Sequence, residues 1–210
     1  MQAGDPFIVA LEGPSDSGKS TLAIGLRDVL EAPVLLLPCY ADLVTDREVL
    51  PPPRASDIDA QIQGLDFFLD LDHDRRDEAS QAGSGAVVVA DRCWLGLLAH
   101  AYAVERTGGP AAYDAARRRV QERANKLLQP QLVLFLAVGS DRRHPRVEHR
   151  DKDQWFTSDD LNEQINTFLA YEAPILAPSV MHTLDARPEA QAVCAAAVRT
   201  ITARLEGAIA

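Results

Sequence analysis

Gly13-Pro14-Ser15-Asp16-Ser17-Gly18-Lys19-Ser20-Thr21 fits the pattern GxxxxGK[ST] and stands between an apolar pentapeptide, Phe7 to Leu11, and a helix-forming stretch, Leu22 to Leu30. A strand must therefore deliver a glycine-rich loop into the start of a helix. Glycines let the backbone curl until successive N–H groups point inward at an anion, which the positive end of the following helix also favours. In that setting Lys19 reaches the β- and γ-phosphates of a nucleotide, and the Ser20 hydroxyl holds Mg²⁺. Gly13, Ser15, Asp16, Ser17, Gly18, Lys19, Ser20 and Thr21 are thus the expected ATP-binding residues. The plainer alternative is a glycine-rich turn capped by Ser20.

At 210 residues the chain suits one domain, residues 1–210, better than two. A hydrophobic fraction of 47% supports a buried core, and a net charge of −10 argues against a general nucleic-acid or acidic-membrane surface. Cys39, Cys93 and Cys194 are widely spaced without a CxxC pair, so neither a disulfide framework nor a zinc site is suggested. No signal-like start or membrane-length apolar run is found, so the expected location is the cytoplasm.

Apolar runs at Val34 to Leu37 and Ala86 to Ala90 predict buried strands, Leu132 to Val138 predicts a fourth strand, and Met181 to Asp185 a brief fifth. Between them, Ser56-Asp57 predicts the cap of a long helix from Ile58 to about Ala79. Further helices are predicted over Leu95 to Val104, over Tyr113 to Leu128 with Val120, Ala124 and Leu127 inward, from Leu161 toward Glu172 closed by Pro174, and over Pro188 to Leu205. Five strands alternating with helices predict an α/β, three-layer arrangement around a parallel sheet.

Asp91 ends the third apolar run, where an acidic residue can hold Mg²⁺ opposite the phosphate loop. Arg92 follows it, where a hydrolytic motor would carry an acid that activates water, so the pair favours transfer to an acceptor held by the arginine; a plain strand-end ion pair is the alternative. A GTPase would need DxxG and NKxD runs, and neither is present. Asp141 to Lys152 concentrates Arg142, Arg143, Arg146, Arg150 and Lys152 in an acidic chain, which suits a lid, about residues 141–157, closing on the transferring phosphate. A solvated, charge-balanced loop is the competing reading. Asp42, beyond the second strand, and Asp91 are the acids able to orient or deprotonate an attacking hydroxyl. Tyr40, Phe68 and Trp94 are candidates to line an acceptor cleft, and Arg117-Arg118-Arg119 with Arg123 and Lys126 reads as a solvated helix face.

Val9 to Gly13 leading into Gly18-Lys19-Ser20-Thr21, then Val89-Ala90-Asp91-Arg92, the basic segment, and Thr183-Leu184-Asp185-Ala186 together resemble the thymidylate kinase-like family of P-loop kinases. The resemblance implies the P-loop NTPase fold with a five-stranded parallel sheet, helices on both faces and a lid segment. It also implies Mg-ATP as donor, frequent homodimerisation through helices, and a phosphorylated nucleoside as acceptor. By the same analogy Arg92, with Arg75 or Arg76, would bind the acceptor phosphate, and Arg150 would be a lid arginine. Two departures stand out: the loop acid is Asp16 where the family has one at the position of Ser15, and Pro38-Cys39-Tyr40-Ala41-Asp42 replaces an Arg-Glu-Pro run. The expected activity is an ATP-dependent kinase acting on a nucleoside monophosphate or nucleoside-like acceptor. The rivals are a kinase for a non-nucleotide hydroxyl compound, such as an antibiotic or its precursor, and a non-catalytic ATP-binding regulatory module.

Overall fold

Every strand pairing is parallel, in the order β2-β3-β1-β4-β5. The computed structural model describes residues 5–138, 158–177 and 180–209. Along the chain run β1 (Phe7–Glu12), α1 (Lys19–Val29), β2 (Val34–Leu37), α2 (Ile58–Ser80), β3 (Val87–Asp91), α3 (Trp94–Arg106) and α4 (Tyr113–Arg123). After these come β4 (Leu132–Ala137), α5 (Asp159–Thr167), a wide turn (Phe168–Glu172), α6 (Ala173–Leu176), β5 (Met181–Asp185) and α7 (Ala190–Ile209). Parallel strands need crossovers and helices on both faces, which is why their sequences are almost continuously apolar. Val9, Leu11, Val87, Val89 and Leu134 pack on α1 and α7 through Leu22, Leu26, Val193, Ala197 and Ile201. Ala10, Val133 and Phe135 face the other way, against Leu65 and Leu69 of α2, Leu95 and Leu98 of α3, and Ile165 of α5.

The sequence-based expectations hold for all five strands, and Asp57 caps α2 by accepting from the Ala60 N–H. Other boundaries differ. β2 is an edge strand, so Val34 to Leu36 are half-buried where full burial is expected. α4 stops at Arg123 and tightens into a short turn over Ala124–Lys126, which leaves Ala124 exposed and buries Leu127 in the cluster that holds Val133 and Phe135, and Leu128 in the one that holds Val88 and Ala90. Pro174 does not close the helix begun at α5. The wide turn precedes it, and the proline falls in the first turn of α6, where its missing N–H has no helical partner to lose. Arg117, Arg118 and Lys126 are exposed, as a solvated face requires, whereas Arg119 and Arg123 pair across to α2, both with Asp66 and Arg123 also with Asp70.

Phe168 is fully buried and meets the rings of Tyr102 and Tyr113 with centroids 5.5 and 5.9 Å away. A substitution Phe168→Ala should lower unfolding stability by about 3–5 kcal/mol, read from urea denaturation, because this packed cluster cannot collapse onto the space left. Among the described residues no helix is long and apolar enough to cross a membrane.

Candidate active site

The loop between β1 and α1 is shaped by three left-handed backbone positions: Gly13 at φ 151°, Asp16 at φ 61° and Gly18 at φ 95°. Gly13 is required by space as well as by torsion, since a Cβ there would lie 2.8 Å from the Ser17 hydroxyl and 3.0 Å from the Leu136 carbonyl oxygen. Gly18 offers α1 no side-chain cap, and the helix's first turn carries no acidic residue. Its first N–H groups are left for an anion to satisfy, in the positive field of the helix end.

Lys19 lies across this loop, buried, with Nζ donating to the carbonyls of Gly13 (3.1 Å) and Pro14 (2.9 Å). Burial, with Arg92 nearby, pulls its ammonium down to about 8. The free protein therefore loses this proton as pH rises through about 8, whereas bound phosphate oxygens favour the charged form. Nucleotide binding above that pH should take up a proton and weaken as pH climbs further. Calorimetry in buffers of different ionisation enthalpy measures the uptake, which should vanish in Lys19→Met.

Ser20 Oγ donates to Asp91 Oδ2 at 2.8 Å, joining α1 to the end of β3. The other oxygen, Asp91 Oδ1, is buried and accepts no hydrogen bond among the described residues. A hydroxyl and a carboxylate with a spare buried lone pair fit a Mg²⁺ ion that shares its remaining positions with water and phosphate oxygens. No group of three or more His, Cys, Asp or Glu that could cage a metal occurs among the described residues.

Arg92 is the second non-glycine residue with positive φ, 75°. Its Nη1 donates to the Gly13 carbonyl at 3.3 Å and lies 4.0 Å from Glu12 Oε2, so the arginine leans onto the phosphate loop. Glu12 is fully buried: Oε1 accepts from the N–H groups of Cys93 (2.7 Å) and Gly96 (3.0 Å) at the start of α3. Burial pushes its carboxyl up, and the charge of Arg92 opposes the shift.

The expected ATP-binding residues come together. Asp16, Ser17, Gly18 and Thr21 line a half-open cavity of about 340 Å³ together with Leu136, Ala186, Pro188 and Val193. That cavity adjoins the phosphate loop and has the apolar walls a nucleobase needs. Ser15 takes part through its backbone, donating its N–H to Asn162 Oδ1 of α5 at 2.9 Å. Asp42 lies exposed in a short helical turn, Tyr40–Asp42, just past β2. Arg142, Arg143, Arg146 and Arg150 lie outside the described residues.

Two expectations for the acceptor side, those for Tyr40 and Arg75, are corrected. Tyr40 does not line an open cleft: it is buried, its hydroxyl donating to Asp72 Oδ1 at 2.8 Å. Phe68 lies against the Tyr40 ring, with centroids 6.0 Å apart. Arg75 is only 1% exposed and bonds to protein groups, while Arg76 is exposed beside Asp77. A side chain long enough to meet a ligand is also long enough to fill the interior once burial of its stem and hydrogen bonds for its head are available. Glu12 and Asn162 escape the sequence reading. A lone carboxylate closing a wholly apolar strand was a usable signal for Glu12, whereas Asn162 carries none.

Residues 7–155 match the family described as chloramphenicol phosphotransferase-like protein. No curated protein matches the chain in sequence. Among solved structures, thymidylate kinase from Candida albicans superposes with a TM-score of 0.71 at 17% identity, over 97% of this chain and 94% of that one. Deoxyadenosine kinase from M. mycoides with bound dATP gives 0.67 at 13% identity, over 93% of this chain and 100% of that one.

Proposed function

Because the chain belongs to the chloramphenicol phosphotransferase-like family and has the P-loop kinase fold, we propose that it transfers the γ-phosphoryl group of Mg-ATP to a hydroxyl of a non-phosphorylated small molecule, antibiotic-like compounds included. The observation that carries this choice is the disposition of charge at the strand ends. A phosphorylated acceptor needs several free cations, yet Arg75 is buried against protein oxygens and the charge of Arg92 is partly balanced by Glu12 4.0 Å away, which leaves Arg92 enough to orient a neutral acceptor. Asp42, by contrast, offers an exposed carboxylate past β2. A neutral hydroxyl needs such a base, whereas a phosphate is already anionic at neutral pH.

In this reading the acceptor oxygen attacks the γ-phosphorus and the bond to the β,γ-bridging oxygen breaks. ADP leaves with that electron pair, and the hydroxyl proton passes to Asp42. Lys19 and the loop N–H groups balance the charge on the β- and γ-oxygens, and Arg92 orients the acceptor beside them. Ser20 and Asp91 would hold Mg²⁺, which when bound neutralises charge shared between the β- and γ-phosphates. Lys19, Asp91, Arg92 and Asp42 are the catalytic residues of this proposal.

A nucleoside monophosphate acceptor is the second reading. The basic residues between 141 and 152 favour it by supplying the cations that such an acceptor needs. ADP formation from Mg-ATP, followed with neutral alcohols, aminocyclitols, nucleosides and nucleoside monophosphates in separate reactions, tests the choice. Stimulation by a non-phosphorylated class is expected. Stimulation confined to monophosphates would overturn the preference, and tight ATP binding with no stimulation by any class would favour the regulatory module.

A further inference from the structure

One buried cluster links the two strand ends that carry the proposed chemistry. Asp91 ends the β3 ladder in register with Leu11, so the carbonyls of Asp91 and Arg92 project beyond the sheet and need donors from elsewhere. Arg75, reaching over from α2, supplies them: Nη2 donates to the Asp91 carbonyl at 3.2 Å and to the Arg92 carbonyl at 3.0 Å. Its Nη1 meets Asp72 Oδ1 at 3.4 Å, and its guanidinium carbon sits 4.5 Å from the centroid of the Tyr40 ring. Tyr40 donates to that same Asp72 oxygen, and the Leu128 N–H donates to the other at 3.0 Å.

We propose that Arg75 is a positioning residue, held by Asp72 and Tyr40, that fixes the Asp91-Arg92 backbone so that Asp91 faces the metal and Arg92 faces the acceptor. The inference rests on the kinase reading for the roles of those two residues. A non-glycine residue at φ 75° persists only where its surroundings over-determine it. Arg92 is pinned at its N–H by the Leu11 carbonyl (3.0 Å), at its side chain by the Gly13 carbonyl and at its own carbonyl by Arg75. A planar fork suits this task better than a point charge, since one guanidinium serves two successive carbonyls and a carboxylate. The cluster reaches the other strand end too, because Tyr40 begins the short turn that bears Asp42. One set of buried bonds therefore sets the spacing between the proposed base and the proposed metal and acceptor residues.

The test needs no acceptor. ATP binding to the full chain is measured by calorimetry with Mg²⁺ and with a chelator, for the wild type, Arg75→Lys and Tyr40→Phe, each checked for folding by circular dichroism. The wild type should bind more tightly with Mg²⁺. Arg75→Lys should keep its affinity for metal-free ATP and lose about tenfold or more of affinity in Mg²⁺, the scale of losing a residue that orients a metal ligand. Tyr40→Phe keeps the ring and drops the hydroxyl, so a smaller loss of the same kind is expected, and it decides the matter if Arg75→Lys fails to fold. A full Mg²⁺ gain in a folded variant, even one that melts lower, or equal weakening with and without the metal, would make the cluster merely structural and overturn the proposal. A wild type indifferent to Mg²⁺ would instead remove the metal role of Asp91, and the inference with it.

Discussion

Replacing Lys19 with methionine should lower phosphoryl transfer by about 10²- to 10³-fold, the scale of losing one preorganised charge on developing phosphate oxygens. The fold should survive. Lys19 is buried, and its proton affinity is reduced chiefly by that burial, so the folded state bears a charge it would hold more cheaply in water. An unbranched apolar side chain fills the same space and removes that penalty, at the cost of the bonds to the Gly13 and Pro14 carbonyls. The thermal midpoint should stay within a few degrees of the wild type while turnover at saturating Mg-ATP collapses. A folded variant with wild-type turnover would contradict the phosphate-site assignment.

The second large effect is expected at Asp42. Asp42→Asn keeps the shape and removes the base, so kcat with a neutral hydroxyl acceptor should fall about 10²- to 10⁴-fold. ATP affinity should not change, because Asp42 lies past β2 and the loop that cradles phosphate follows β1. The same variant should be nearly silent toward an acceptor that is already phosphorylated. Comparing kcat and KM for both substrates in steady state separates these cases, and a loss of ATP affinity would place Asp42 in a different role.

Why the donor half was legible and the acceptor half was not follows from distance along the chain. The phosphate loop, its strand and its helix are contiguous in sequence, so the glycines that take positive φ, Gly13 and Gly18, stand at the motif positions themselves. Strand identity was equally local, since runs such as Val87-Val88-Val89 can only be buried on both faces. The rest is assembled from afar: Glu12 caps α3 through Cys93 and Gly96, and Asp72 joins Tyr40 to Leu128, while even the phosphate loop draws on Asn162, which holds the Ser15 N–H. Asp72 is buried on α2, and its partners Tyr40 and Leu128 come from 32 and 56 residues away, beyond the reach of any local pattern. Arg75, three residues on, is assigned with Arg76 to the acceptor phosphate by family resemblance alone. Its burial depends on two carbonyls contributed by the Asp91-Arg92 strand end.

The most direct measurement follows the label from γ-labelled ATP incubated with Mg²⁺, the protein and one non-phosphorylated hydroxyl compound at a time. The account predicts that the label enters an organic phosphate ester of one acceptor class, identified by mass, and that Lys19→Met leaves it in ATP. Label found only in inorganic phosphate across the whole panel, or entering an acceptor only when a nucleoside monophosphate is supplied in its place, would contradict it.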